Sequence, residues 1–223
     1  MLAIGRRLEP LEKTKSLAPT YIHVLQADIT SSEDRKRIFN FIPPTDVVRY
    51  LVHSAAVGEP EKVENIQLLN FELALKVNVI APLFLTKGFL PRLKRKGRIL
   101  HFGSGVAFKA QLGTASYGIS KMAHHRLYEQ LKLELPKYGV RIANIMVGLV
   151  DTEGLWKHHD LATVANLPHT IKFLSAKAEG KIKSAVECAE RIKYVLLEAN
   201  DEEFTNDWSI NDDTMAQEAL DWI

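Results

Sequence analysis

The 223 residues suffice for one sizeable buried core, and length alone does not demand a second domain. With 46% apolar and 25% charged residues the chain reads as an ordinary soluble globular protein. Its 29 basic and 27 acidic residues leave +2, a balance that argues for neither nucleic acid nor an anionic membrane as partner.

Residues 1–5 form a short apolar run, read as a strand, that ends in Arg6 and Arg7. A helix follows from Leu8, with Pro10 near its first turn. Residues 21–26 read as a second strand, closed by Ala27, Asp28, Ile29 and Thr30. Ser31 and Ser32, then Glu33 and Asp34, offer a capping hydroxyl and acidic charge to the next helix start. The third strand, 47–52, runs into His53, Ser54, Ala55 and Ala56. A long helical pattern over 65–93 carries Leu68, Leu69, Phe71, Leu75, Val79, Leu83 and Leu85, and Pro82 inside it predicts a kink. No apolar stretch in the chain is read as reaching the roughly 20 residues of a membrane span. The cluster Arg92, Lys94, Arg95, Lys96 and Arg98 reads as cations at a helix C-terminus, since no aromatics interleave as in a nucleic-acid patch.

The fourth strand leads through Phe102 and Gly103 to Ser104, and a helix is predicted over 114–135 with Tyr117 and Lys121 near its start. Another strand, 140–147, is followed by Gly148, Val150 and Thr152. Residues 153–174 show weaker periodicity and include Trp156, His158, His159, Pro168 and His169. A helix over 184–200, a final strand over 204–210 and a short helix over 215–223 complete the chain. Strands alternating with helices predict an α/β fold: a parallel sheet covered on both faces, in one domain spanning 1–223. The lone Cys188 makes no internal disulfide and reads as a small buried helix residue, which fits a reducing cytoplasmic setting. The N-terminus lacks a signal peptide's basic start and apolar core.

Tyr117 and Lys121 are four apart, so a helix places them on one face, one turn apart. An ammonium there favours the ionised phenol and draws its pKa of about 10 towards the working pH. Ser104, thirteen residues earlier, stands at the carboxyl end of a strand, where open α/β sheets place their ligands. Taken singly, each has a plainer reading: a half-buried helix aromatic, a solvated lysine, a turn serine. His124-His125 and His158-His159 are adjacent rather than spaced to chelate, and no companion ligand has metal spacing, so no metal site is expected.

From residue 1 to about 210 the chain resembles the short-chain dehydrogenase/reductases. Ser104, Tyr117 and Lys121 fall on that family's catalytic positions, and Asn78 on the Asn that completes its tetrad. The resemblance implies a Rossmann-like doubly wound three-layer fold and hydride transfer between a nicotinamide cofactor and a small carbonyl or alcohol. Tyr117 would give or take the proton, Lys121 lower its pKa and hold the nicotinamide ribose, Ser104 bind the substrate oxygen, and Asn78 hold a relay water. Asp28-Ile29 matches the adenine-holding pair, and His53-Ser54-Ala55-Ala56 stands loosely for the family's Asn-Asn-Ala-Gly. Gly148, Val150 and Thr152 match the segment that holds the nicotinamide amide. Arg6 matches the basic residue that pairs with the 2′-phosphate, which implies NADP ahead of NAD; a guanidinium grips phosphate oxygens bidentately. Residues 156–169 stand where the family has its substrate lid, and the long helices imply a homodimer or homotetramer.

The family's first strand, Gly-rich turn and first helix have no counterpart here, and no Gly-x-Gly stands in the first sixty residues. Residues 1–7 read as the middle of a normal family chain. The missing turn is the one whose backbone N–H groups would hold the pyrophosphate. The missing strand would lie between strands one and three, so a slot with unpaired edges is expected. Two functions compete: an NADP-dependent oxidoreductase, and a cofactor-deficient relative or shortened form that serves as a binding or regulatory subunit.

Overall fold

The computed structural model describes residues 1–93 and 96–210. In chain order it holds β1 (Leu2–Gly5), α1 (Leu8–Ser16), β2 (His23–Gln26), α2 (Ser32–Phe41) and β3 (Tyr50–His53). There follow α3 (Leu68–Leu75), a π-helical turn (Lys76–Ile80), α4 (Ala81–Leu93), β4 (Gly97–Phe102), α5 (Ala115–Glu134) and β5 (Val140–Met146). Beyond them lie β6 (Val150–Asp151), α6 (Glu153–Val164), α7 (Thr170–Ala178), β7 (Lys183–Ser184), α8 (Ala185–Lys193), α9 (Asp201–Phe204) and β8 (Asp207–Ser209). The tail helix expected over 215–223 lies outside the described residues.

Every ladder is parallel, but the strands fall into separate sheets: β1-β2, β3-β4-β5-β8, and the short β6-β7 pair. No ladder joins β1 to β3 among the described residues, which is the slot expected between them. Packing bridges what hydrogen bonding does not. Ile4 of β1, Leu25 of β2 and Leu51 of β3 all pack against one core built on Ile38, Leu85, Phe89, Leu93, Ile99 and Ile142. The opposite face of the larger sheet is covered by a second core around Leu100, Ala143, Ile145, Val195, Phe204 and Trp208. Successive strand side chains point to opposite faces, so Ile99 and Leu100 serve different cores, as do Ile142 and Ala143. A sheet covered on both faces explains why these strands read as continuous apolar runs.

Helix starts follow from local chemistry. Ser31 caps α2 by accepting from the Asp34 N–H at 3.2 Å, and Ser184 with Glu187 forms a reciprocal capping box on α8. The expected 184–200 helix is regular only to Lys193 and ends in a π turn, and β3 begins three residues later than its apolar run. By length and composition the continuous helical stretch Leu68–Leu93 does reach membrane-span scale, which corrects the sequence expectation. It is nevertheless built into the core layer: Ala74, Val77, Ala81, Leu85, Phe89 and Leu93 are buried against the sheet and α5. Its outer face leaves Leu68, Leu69, Ile80, Leu83 and Phe84 exposed.

Candidate active site

Strand β4 ends at Phe102, and Gly103 turns the chain so that Ser104 opens a 3₁₀ turn over Gly105–Ala107. A side chain at Gly103 would lie 2.6 Å from the Asn144 amide nitrogen of β5, so only a glycine lets the turn sit this close. Tyr117 and Lys121 follow in the first two turns of α5. The Ser104 side chain lies close enough to Tyr117 to act on its phenol. Lys121 Nζ stands 5.7 Å from the centre of the Tyr117 ring and donates to the Phe102 carbonyl at 2.7 Å. Three groups chosen from sequence spacing therefore converge at the carboxyl edge of β4.

Their ionisation differs from expectation. Burial pushes the Tyr117 phenol above its ordinary value, and the Ser104 side chain opposes that rise. Burial also lowers Lys121, to about 8. The expected lowering of Tyr117 by Lys121 does not enter here: desolvation raises the phenol and only Ser104 opposes it, with the Lys121 Nζ 5.7 Å from the ring centre.

Asn78 sits in the π turn between α3 and α4 and is fully buried. Its side chain spans the backbone of Val57, accepting from the N–H at 2.9 Å and donating to the carbonyl at 2.7 Å, and it also donates to the Ser120 hydroxyl at 2.8 Å. The loop so held carries Gly58, where an added Cβ would lie 2.5 Å from the Tyr117 Cβ. Asn78 thus presses a loop onto one face of Tyr117. Pro82, four residues on, offers no N–H to the Asn78 carbonyl, and the irregularity falls just upstream of that proline.

The residues matched to cofactor binding line the carboxyl ends of the strands. Arg6 is exposed directly after β1, and its carbonyl accepts from Gln26. Asp28 and Ile29 follow β2; Asp28 Oδ1 accepts from the Thr30 N–H and hydroxyl. Ser54 and Ala55 are exposed after β3. Gly148 takes a left-handed φ of 63° after β5, Val150 lies in β6, and Thr152 caps α6 by accepting from Leu155 N–H at 3.2 Å. These groups would suit the two ends of a dinucleotide, with a guanidinium and an accepting carboxylate at one end and hydroxyls and an amine at the other. The middle is different: among the described residues the guanidinium that reaches across is Arg7, whose Nη1 meets Glu153 Oε1 at 3.2 Å and Oε2 at 3.4 Å.

Sequence reasoning missed a column of three buried histidines behind Lys121. His53 and His101 are register partners on β3 and β4 with rings edge to face at 5.1 Å, and His101 stacks on His124 of α5 at 4.2 Å. Burial depresses all three, His53 to about 4 and His124 to about 3, with His101 also held down by its neighbours His124, His53 and Lys121. Their signal was a histidine at equivalent places in two consecutive strands. Residues 153–178, which include the stretch that the resemblance matches to a lid, condense into α6 and α7, with His158, His169 and Phe173 packed between them.

A family model described as short chain dehydrogenase matches residues 1–161. The chain is 26% identical over 158 residues to an uncharacterized oxidoreductase of Staphylococcus epidermidis, covering 68% of this chain and 67% of that protein. It is 31% identical over 162 residues to human 11-beta-hydroxysteroid dehydrogenase type 2, covering 67% of this chain but 40% of that enzyme. Among solved structures, a short chain dehydrogenase/reductase from Saccharomyces cerevisiae superposes with a TM-score of 0.85 at 21% identity, over 95% of this chain and 85% of that one. An NAD+-bound xylitol dehydrogenase superposes at 0.81 with 20% identity, over 94% and 86%. With the family model covering most of the chain and the parallel α/β fold shared, this protein belongs to the short-chain dehydrogenase family of oxidoreductases.

Proposed function

We propose that the protein transfers a hydride between a nicotinamide cofactor, NADP in preference to NAD, and a small carbonyl or alcohol substrate. The observation that carries this reading is the hydroxyl pair of Ser104 and Tyr117 with the Lys121 amine one helical turn away. Two hydroxyls facing one point can both hold a carbonyl oxygen. In the reductive direction Tyr117, kept protonated by its burial, gives its proton to the oxygen as negative charge develops there. Ser104 donates to the same oxygen and stabilises that charge. Lys121, lowered only to about 8, is still mostly ammonium at neutral pH, and its charge stabilises the phenolate that remains. Asn78 acts at one remove, by fixing the loop against Tyr117. The nicotinamide, when bound, supplies or accepts the hydride. Arg6, exposed where β1 ends, supports the NADP preference.

Two further assignments belong to this reading. The apolar outer face of Leu68, Leu69, Leu83 and Phe84, with Ile119 and Met122 of α5, supports pairing into a homodimer or homotetramer. The buried free thiol of Cys188 supports a cytoplasmic, reducing setting. The split sheet favours a second reading, in which the chain folds but does not catalyse and serves as a binding or regulatory subunit.

The test is a titration with NADPH and NADH followed by fluorescence energy transfer, then reduction of a carbonyl panel by the chain and by Tyr117→Phe. The oxidoreductase reading expects NADPH to bind more tightly than NADH. It also expects Tyr117→Phe to lose about 10²–10⁴-fold in rate with binding retained. Absence of binding at millimolar cofactor selects the non-catalytic reading.

A further inference from the structure

One ion pair crosses the crevice outside the carboxyl ends of the strands. Arg7 follows β1 and precedes α1; Glu153 is the first residue of α6, directly after Thr152. The two are 146 residues apart in sequence and meet as a fork on a carboxylate, Nη1 to both oxygens at 3.2 and 3.4 Å and Nη2 to Oε2 at 3.5 Å. The contact ties the two-stranded sheet to α6 at a level where no ladder joins β1 to β3. Both side chains are largely exposed, so the pair contributes little to stability and is easily exchanged for another anion.

We propose that Glu153 is an internal competitor for the crevice's anion site: it straps Arg7 in the free chain and yields it to the diphosphate of a bound dinucleotide. The inference rests on the cofactor reading above. The position decides which part of the ligand is meant. Arg7 stands at the end where Arg6 and Asp28 lie, Glu153 at the end where Gly148, Val150 and Thr152 lie, so their meeting point falls between the two halves of a dinucleotide. That midpoint is the diphosphate. A forked guanidinium matches phosphate oxygens as it matches carboxylate oxygens. Here it supplies the charge at a place with no Gly-rich turn to offer backbone N–H groups. Glu153 is also the first residue of α6, so the strap sits at the start of the segment that the resemblance matches to a lid.

Two probes and three variants test this: inorganic pyrophosphate, followed by Trp156 fluorescence three residues from Glu153, and NADPH, followed by energy transfer, on Glu153→Gln, Arg7→Gln and the double variant. Glu153→Gln is expected to bind both probes about two- to five-fold more tightly at low salt, with the gain shrinking at about 0.3 M salt. Arg7→Gln is expected to weaken both, and the double variant to show no gain over Arg7→Gln. Ligand-free Glu153→Gln is expected to exchange the first-turn amides of α6 faster than the parent. Equal affinity in Glu153→Gln and parent, or a gain that persists without Arg7, overturns the strap. Pyrophosphate following the pattern while NADPH binds no form leaves the strap standing and removes the cofactor reading. NADPH bound alike by all forms does the reverse, and failure of both probes on every form removes both.

Discussion

At the scale of single residues, desolvation governs this site more than pairing does. Tyr117 is raised and Lys121 lowered by burial, which shifts both towards their neutral forms, although Lys121 at about 8 stays mostly charged at neutral pH. The histidine column obeys the same rule. His53, His101 and His124 are held neutral in the fold and titrate near 6.5 when unfolded. His158 of α6 joins them, pushed by burial to about 4. The sign follows directly: below 6.5 the unfolded chain binds protons that the folded chain refuses, so stability falls as pH drops from 6.5 towards the folded values. Each histidine contributes a slope of up to about 1.4 kcal/mol per pH unit in that window. Urea midpoints measured between pH 7.5 and 5 are therefore expected to fall steeply, and the fall is expected to be shallower in His101→Phe with His124→Leu. A flat profile would mean that the column is hydrated or open.

At the scale of elements, the π turn is where the long helix meets the site. It turns Asn78 inward, and the amide pairs with Val57 as a neighbouring strand would, leaving Gly58 against Tyr117. Gly58→Ala places a methyl group 2.5 Å from the Tyr117 Cβ, and α5 is too well packed to retreat. Under the oxidoreductase reading, kcat is expected to fall at least about ten-fold, since sub-ångström displacement of an acid catalyst is costly. Thermal melting checks that the variant is still folded. Unchanged kcat with an unchanged melt would show that the loop does not position Tyr117. Sequence predicted an irregularity at Pro82, and the structure moves it upstream to residues 76–80, because the missing N–H at Pro82 concerns the carbonyl of Asn78.

At the scale of the whole molecule, the break between β1 and β3 is one of hydrogen bonding, not of packing. Apolar packing holds both strands on a common core, yet each has a ladder on one side only. Amides of β1 and β3 that enter no ladder are expected to exchange with solvent orders of magnitude faster than those of β4 and β5, which are paired on both sides. Protection of β1 and β3 equal to that of β4 would mean that something fills the slot. Much of this architecture was legible beforehand. Continuous apolar runs located β1, β4 and β5 and the helical period located α5, each within a few residues, and the Ser104, Tyr117 and Lys121 spacing named a cluster that does assemble.

Apolar runs, helical periodicity and i, i+4 spacing are local and survive any detail of packing, so they already carry the alternation of strands and helices, the family, and the side chains gathered at the end of β4. Only the tertiary structure decided how those groups ionise, that three histidines stack behind Lys121, that Asn78 serves a distant loop, and that Arg7 is answered by Glu153. Each of these depends on which surfaces meet and how much water they exclude. Those quantities are set by contacts between residues far apart in the chain.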